Sequence, residues 1–110
     1  MNTKALLIET RRLIQQGHAK GSFAVGPGGD PLSCRNKDAV AYCVVGAANQ
    51  ALSVVPPLPA VRKACLLEAE ALIRGAIPLS SGSLMDWNDA PERTQEEVLA
   101  VLDKAIERAP

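Results

Sequence analysis

Apolar residues recur at helical spacing in four parts of this chain, and each part predicts an amphipathic helix. The first predicted helix runs from about Thr3 to Gln16, and either Asn2 or Thr3 can cap its start. Gly17 is expected to take the left-handed conformation that commonly follows a helix end. One stripe of this helix is predicted to face the core, and it contains Leu6, Leu7, Thr10, Leu13 and Ile14.

The second predicted helix runs from Lys37 to about Ser53, and Asn36 precedes it as the expected N-cap. Its apolar surface extends nearly all round, which is typical of a central, buried helix. The small residues from Gly46 to Ala48 would let another stretch of backbone approach closely. The main apolar stripe of the helix contains Val40, Cys43, Val44, Ala47, Ala48 and Ala51.

A proline-rich connection from Val54 to Pro59 cannot continue the second helix. The third predicted helix begins near Pro59 and runs to Arg74, with Gly75 as its terminator. The residues expected to face inward from this helix are Val61, Ala64, Cys65, Leu72 and Ile73.

The last predicted helix has the clearest start signal in the chain. Thr94 and Glu97 stand in the reciprocal positions of a capping box. Lys104 and Arg108 carry positive charge toward the other end of the helix, where the helix dipole is negative. The predicted inner face contains Val98, Val101, Leu102, Ala105 and Ile106.

The segment between the first two helices has a different character. The run from Ser22 to Val25 resembles a short strand, the residues from Gly26 to Pro31 favour turns, and Leu32 to Cys34 can return as a second strand. A β-hairpin and a simple loop both fit this pattern, and the hairpin is favoured. The glycines from Gly26 to Gly29 lack the Lys-Ser/Thr ending of a phosphate-binding loop, so they are interpreted as a turn.

These elements predict a mostly α fold, in which residues 1–110 form one compact domain of four helices with a small β-hairpin between helices 1 and 2. A chain of 110 residues can bury one core without metals or disulfides. The three cysteines, Cys34, Cys43 and Cys65, are odd in number and widely spaced, so they predict no disulfide framework. Together with His18 they supply no Cys-x-x-Cys or His-x-x-x-His pair, so neither a metal nor another cofactor is expected.

The formal net charge is zero, but the two signs are unevenly distributed. Residues 1–63 carry eight basic and three acidic side chains, whereas residues 64–110 carry four basic and nine acidic ones. The two halves can therefore attract each other within one fold or between two copies. A zero total argues against nucleic-acid binding, and a local patch of Arg11, Arg12 and Lys20 leaves that function as the least favoured option.

The chain shows no secretory signal, since the apolar run from Ala5 to Ile8 is far too short to form a signal core. No run approaches the roughly 18–20 apolar residues that span a bilayer. The sequence therefore predicts a cytoplasmic protein with no membrane partner.

Residues 76–93 are predicted to form a long irregular segment, and such segments are often functional or packed by their own side chains. The segment holds the only tryptophan, Trp87, beside Asn88 and Asp89. In a functional interpretation these residues bind a ligand or partner together with Arg93. The favoured structural interpretation places Trp87 in the core and an Asx turn at Asn88 or Asp89. Arg93 then pairs with a carboxylate.

A nucleophilic site is a second hypothesis. Cys43 would be the nucleophile and His18, the only histidine, the base, while Asp86 or Asp89 would orient the imidazole. The setting argues against it, because Cys43 is expected in the middle of the most apolar helix stripe. A thiol there is usually an inert core group with a raised pKa.

Two motifs carry a resemblance. The second helix contains the aromatic-Cys-x-x-Gly-Ala pattern of residues 42–47, and Trp87-Asn88-Asp89 precedes Arg93-Thr94 at the start of the last helix. This pair resembles a family of small uncharacterised proteins from bacteria and their phages. The resemblance implies that Tyr42-Cys43 and the Trp87–Asp89 positions are neighbours, and that the chain comes from a phage or mobile element. The chain departs from the family at Glu92, where Gly is usual, and no established activity comes with the resemblance.

The sequence therefore favours a small accessory or interaction protein without enzymatic activity. It would bind a protein partner, or another copy of itself, through the 76–93 segment and a helix face. The binding residues would be Trp87, Asn88, Asp89 and Arg93. The alternative is a small enzyme or ligand-binding domain with its site around Cys43, His18, Asp86 and Asp89.

Overall fold

The computed structural model of the protein describes residues 3–54, 59–77 and 82–110. The N-cap expected at Asn2 and most of the proline-rich connection lie outside these residues. Five helices and three short strands occur in the described part of the chain. They are α1 (Thr3–Gln16), β1 (Ala24–Val25), β2 (Pro31–Leu32), β3 (Ala41–Tyr42), α2 (Val44–Val54), α3 (Pro59–Ala76), α4 (Leu84–Asp89) and α5 (Gln95–Arg108).

The central element is α1, which packs against α2, α3, α5 and β3. Its bounds and its buried stripe agree with the sequence pattern, because the stripe offers three other helices an apolar surface. The inner face of α5 also agrees with the sequence pattern. Four of its five predicted residues are buried, and the fifth, Ile106, is half-buried. The largest fully buried apolar side chains of the core are Leu6, Leu7, Ile14, Ile73, Leu102, Val44 and Val98.

The capping box of α5 is confirmed. The Thr94 hydroxyl accepts a hydrogen bond from the Glu97 N–H at 3.1 Å, and the Glu97 carboxylate accepts one from the Thr94 N–H at 3.0 Å. The Thr94 N–H lowers the pKa of the Glu97 carboxyl because it stabilises the charged form. Two otherwise unpaired backbone donors are thus satisfied at the start of this helix.

The expected start of the second helix is wrong by seven residues, since α2 begins at Val44 rather than at Lys37. Asn36 does not cap it, and its side chain instead accepts a hydrogen bond from the Asp38 N–H at 2.8 Å in an Asx turn. Pairing with a distant strand overrides the local helical pattern, because Ala41 and Tyr42 form β3 alongside β1. The expected core residue Val40 is 40% exposed.

The predicted hairpin is confirmed, and the sheet contains a third strand that the sequence pattern did not predict. In the order β2–β1–β3, both pairings are antiparallel, with Ala24 opposite Leu32 on one side and Tyr42 on the other. The chain after α1 extends this arrangement as a parallel bridge at His18. The Ala19 N–H donates to the Tyr42 carbonyl at 2.9 Å. His18 is therefore held against the sheet rather than in a free loop.

Gly17 is required for a close contact and not for the expected left-handed turn. Among the described residues, positive φ angles occur at Gly21, Gly29 and Gly82. A Cβ atom at Gly17 would lie 2.7 Å from the carbonyl oxygen of Val40. A side chain at this position would separate α1 from the strand β3.

The third helix differs from its prediction at its end and on its inner face. It continues through Gly75 to Ala76, and the buried residues within 61–76 are Ala69, Ile73 and Ala76. Ile73 was expected there, but Val61 and Ala64 are exposed, while Cys65 and Leu72 are half-buried. The buried face of α3 is rotated about the helix axis relative to the predicted face, because the helix packs against both α1 and α5.

The helix α4 lies inside the segment that was predicted to be irregular, so the described fold has five helices rather than four. Its N-cap is Ser83, whose hydroxyl accepts a hydrogen bond from the Asp86 N–H at 3.1 Å. Six residues with three polar side chains give too short a periodic pattern for a helix to be predicted.

Side chains from distant elements complete three helix C-termini. Gln95 donates to the Ile14 carbonyl at the end of α1 at 2.8 Å, and Arg108 donates to the Gly75 carbonyl at the end of α3 at 3.0 Å. Lys20 donates to the Ala90 carbonyl just after α4 at 2.8 Å. These bonds satisfy carbonyls that have no partner within their own helix, and they fix the positions of the helices relative to one another.

None of the helices in the described ranges is both long enough and apolar enough to cross a membrane.

The expected close approach at Gly46 is confirmed. In the first turn of α2, a Cβ atom at this position would overlap the carbonyl oxygen of Phe23 and lie 2.8 Å from its carbonyl carbon. The backbone before β1 therefore lies directly on α2.

We predict that Gly46→Ala lowers the free energy of unfolding by about 2–3 kcal/mol, because displacing the Phe23 backbone outweighs the better helix propensity of alanine. Gly75→Ala is the matched control. It is expected to raise the same free energy by about 0.5–1 kcal/mol, because among the described residues no atom outside the helix backbone lies within 4 Å of the new Cβ. Urea denaturation of both variants measures the difference. An unchanged or higher stability of Gly46→Ala would contradict the predicted overlap.

Candidate functional site

The two sequence motifs meet at the side chain of Asn88, which is fully buried in α4. Its Oδ1 atom accepts a hydrogen bond from the Val44 N–H, at the first residue of α2, at 3.0 Å. Its Nδ2 atom donates to the Ala19 carbonyl at 3.0 Å and to Asp89 Oδ1 at 2.9 Å. The expectation that the segments around residues 42–43 and 87–89 are neighbours is therefore confirmed in the structure.

The fourth hydrogen bond of Asn88 fixes the role of His18. The backbone N–H of Val44 can only donate, so the amide atom that it contacts is the oxygen Oδ1. The carbonyl of Ala19 can only accept, so the amide atom that it contacts is the nitrogen Nδ2. His18 Nε2 lies 2.8 Å from Asn88 Oδ1, and it must therefore carry the proton and donate it. The geometry makes His18 a hydrogen-bond donor to a buried amide.

Cys43 occupies the position just before α2 and not the middle of the helix. Its Sγ atom accepts a hydrogen bond from the Gly46 N–H at 3.2 Å, which is the bond that an N-cap side chain makes. The thiol is only 1% exposed, and burial raises its pKa more than the N–H donors of Gly46 and Val45 lower it. The thiol is therefore buried and has a raised pKa, as the sequence indicated, but it lies at the N-cap of α2 rather than in the middle of the helix.

The proposed nucleophilic site is assembled only in part. Asp89 is half-buried and accepts from Asn88, and its negative charge adds to the rise in the Cys43 pKa. His18 reaches Asn88, so His18 and Asp89 are linked through the amide rather than directly. Asp86 lies exposed in the first turn of α4, where its N–H is bound to the N-cap Ser83. No group of three or more histidine, cysteine or acidic side chains in the described ranges is arranged to hold a metal ion.

Trp87 and Arg93 form a second cluster at the surface. The Arg93 guanidinium carbon lies 4.3 Å from the centre of the Trp87 ring, and Arg93 Nε donates to the Trp87 carbonyl at 2.9 Å. Arg93 also pairs with Glu97 at 3.0 Å, so its expected pairing with a carboxylate is confirmed. Trp87 is half-buried and packs against the core from outside, whereas the structural interpretation placed it within the core. The Asx turn predicted at Asn88 or Asp89 is wrong, because both residues lie within α4.

A groove of about 220 Å³ opens beside this cluster. One wall comes from the 76–93 segment and the other from the exposed edge of α5. Its lining residues are Ala76, Trp87, Arg93, Glu97, Ala100, Val101 and Lys104. The sequence pattern did not predict that α5 contributes to this groove. The signal was present, because residues on one face of α5 recur at helical spacing: Glu97, Ala100 or Val101, and Lys104.

The candidate nucleic-acid residues are all engaged within the fold. Arg11 pairs with Asp103 at 2.6 Å, and Arg12 pairs with Glu9 at 2.6 Å. Lys20 donates to the carbonyls after α4. These contacts reduce the positive charge that the patch offers to phosphate groups.

The model of a family of unknown function, DUF6197, matches residues 1–108. The chain belongs to this family. No curated protein and no solved structure matches the chain at a significant level. Membership of DUF6197 agrees with the expected uncharacterised family and assigns no activity, and the bacterial or phage origin stays a prediction.

Asn88→Ala is expected to lower the free energy of unfolding of this DUF6197 member by about 2–5 kcal/mol, because the buried Val44 N–H and Ala19 carbonyl lose their partner. Asn49→Ala is the control, since the Asn49 amide makes only a local bond to the Val45 carbonyl within α2. The control is expected to lose less than about 1 kcal/mol. Equal losses in urea denaturation would contradict the assigned role of Asn88.

Cys43 is expected to react with iodoacetamide at least about a hundredfold more slowly than Cys34 and Cys65 in the folded protein, because the buried thiol becomes accessible only on opening. Peptide mass spectrometry over a pH series measures the three rates in one sample. In urea the three rates should converge. Fast labelling of Cys43 with a midpoint below the free-thiol value of about 8.5 would contradict this assignment and support the nucleophilic hypothesis.

Proposed function

We propose that this protein is a small accessory protein that binds a short segment of a protein partner in the groove between the 76–93 segment and α5. The observation that carries the proposal is the position of Trp87 and Arg93, stacked on one another at the wall of that groove. Tryptophan and arginine are the residue types that most often dominate the binding energy of protein interfaces.

The size and lining of the groove favour a peptide anchor over a cofactor. A volume of about 220 Å³ is below the usual range for small-molecule sites, but it admits one large side chain. Ala76, Ala100 and Val101 supply apolar contacts for such a side chain. Because the groove lies at the surface, the rest of a bound segment would extend over α5.

Charge around the groove favours an acidic segment. The negative charge of Glu97 compensates the positive charge of Arg93 through an ion pair. Lys104 forms no ion pair with any residue in the described ranges. A carboxylate next to the apolar anchor would reach the Lys104 ammonium at the rim of the groove. We therefore expect partner segments that combine one bulky apolar residue with a neighbouring Asp or Glu.

The walls of the groove are preorganised, which reduces the entropy lost on binding. The capping box fixes the start of α5, and Arg93 links α4 to α5 through its bonds to Trp87 and Glu97. Lys20 holds the chain after α4 through two carbonyl bonds. A rigid groove of this kind binds without prior ordering of its walls.

Selection from a peptide library displayed on phage tests the proposal, with the immobilised protein as target. We expect selected peptides to carry the apolar and acidic pair and to shift the fluorescence of Trp87, the only tryptophan in the chain. The variant Ala100→Arg fills the groove from an exposed position, so it should weaken peptide binding at least about tenfold without removing a core contact. Ile8→Arg, which changes an exposed residue of α1, is the matched control.

Peptides that bind wild type and Ala100→Arg equally would show that the groove is not the binding site. The absence of any selected peptide that shifts the Trp87 signal would overturn the proposed function itself.

A further inference from the structure

The outward face of α3 carries an apolar stripe in place of the charged residues usual on an exposed helix face. Ala64, Leu67, Ala71 and Gly75 follow one another at spacings of three, four and four residues, so they share one side of the helix. All four are exposed, and Leu67 is 57% exposed, the largest value among the large apolar side chains in the described ranges. The inner face of the same helix is occupied by Ala69, Ile73 and Ala76.

Small side chains on this stripe suit the close packing of a second helix. Alanine and glycine let two helix axes approach to about 8 Å, the lower end of the usual packing distance. Outside the helix's own backbone, no atom of the described residues lies within 4 Å of a Cβ added at Gly75. Leu67, at the centre of the stripe, would then pack between the small residues of the opposing helix.

Two of the charges that flank the stripe favour a second copy of this chain as the occupant. Lys63 and Glu70 are seven residues apart, two helical turns, and therefore lie on the same flank. Neither forms an ion pair within the part of the chain that the structure describes. A two-fold axis between Leu66 and Leu67 would place Lys63 of one chain opposite Glu70 of the other, and the reverse.

The charge on the other flank of the stripe gives only a weak repulsion between the two copies. Glu68 lies there, and two copies of it would approach each other near the two-fold axis. Its carboxylate accepts a hydrogen bond from the Thr3 hydroxyl at the start of α1, so it is engaged within its own chain. The self-complementary pair of Lys63 and Glu70 then determines the relative direction of the helices.

We propose that the outward face of α3 binds a second copy of this chain, in an antiparallel helix pair with Leu67 at its centre and two symmetric Lys63–Glu70 ion pairs at its edge. The residues of this face are not among those that line the groove beside Trp87, so a dimer is expected to leave that groove free to bind a partner. A contact built mainly on one helix of 18 residues is small, and the dimer is expected to be weak and concentration-dependent.

Sedimentation of the full chain over micromolar to millimolar concentrations at low salt tests the proposal. Wild type is expected to show a reversible monomer–dimer equilibrium, and Leu67→Asp should raise its dissociation constant at least about tenfold. The control Ile8→Asp changes an apolar residue of α1 that is 52% exposed and should leave the equilibrium unchanged. Circular dichroism of each variant verifies that it is folded.

Charge exchange tests the antiparallel arrangement. Lys63→Glu and Glu70→Lys should each weaken the dimer, because every ion pair becomes a like-charge contact. The double variant K63E/E70K should recover dimerisation. An equal mixture of the two single variants should form a mixed dimer, since each chain then meets the opposite charge.

A wild type that stays monomeric at every concentration would overturn the proposal, as would a dimer that Leu67→Asp leaves intact. Failure of the double variant to recover would overturn the antiparallel pairing. A dimer lost in Ala100→Arg but kept in Leu67→Asp would place self-association in the groove and overturn the α3 interface. The two proposals fail separately: a dimer that Leu67→Asp leaves intact does not affect the peptide result on the groove, and the absence of selected peptides does not affect the α3 interface.

Discussion

Four hydrogen bonds converge on the buried side chain of Asn88 and join three segments that are far apart in the sequence. Burying an amide is unfavourable unless its donors and acceptors are all satisfied, and here both lone pairs and both N–H groups have partners. The first N–H of α2 and a carbonyl just after α1 depend on the same side chain. The relative positions of α1, α2 and α4 therefore follow from one polar group rather than from apolar packing alone.

The position of the candidate binding groove follows from that contact. Because Asn88 fixes α4 from the inside, the preceding residue Trp87 is presented on the outer side, where Arg93 covers its ring. Lys20, two residues beyond His18, binds the carbonyls at the end of the same helix. The interior network and the surface groove are thus two sides of one short helix, α4.

Local sequence signals predicted α1 and the start of α5, because a continuous apolar stripe and a capping box are properties of neighbouring residues. They did not predict the start of α2, where residues 41–42 join a strand that lies seventeen positions earlier in the chain. The helix α4, with six residues, is too short to show a helical period. Nothing near Asn88 in the sequence indicates that its partners are Val44 and Ala19, since those contacts exist only in the folded chain.

In the described ranges, few ion pairs join the basic half of the chain to its acidic half. Of the three ion pairs in the described ranges, the bond between Arg11 and Asp103 alone joins the basic half to the acidic half. Lys20 donates to carbonyls instead, which are uncharged and leave its positive charge uncompensated. Much of the opposite charge of the two halves is consequently available to a second molecule. On α3 the boundary between the halves falls inside one helix, and the proposed antiparallel pair of such helices brings Lys63 of each chain beside Glu70 of the other.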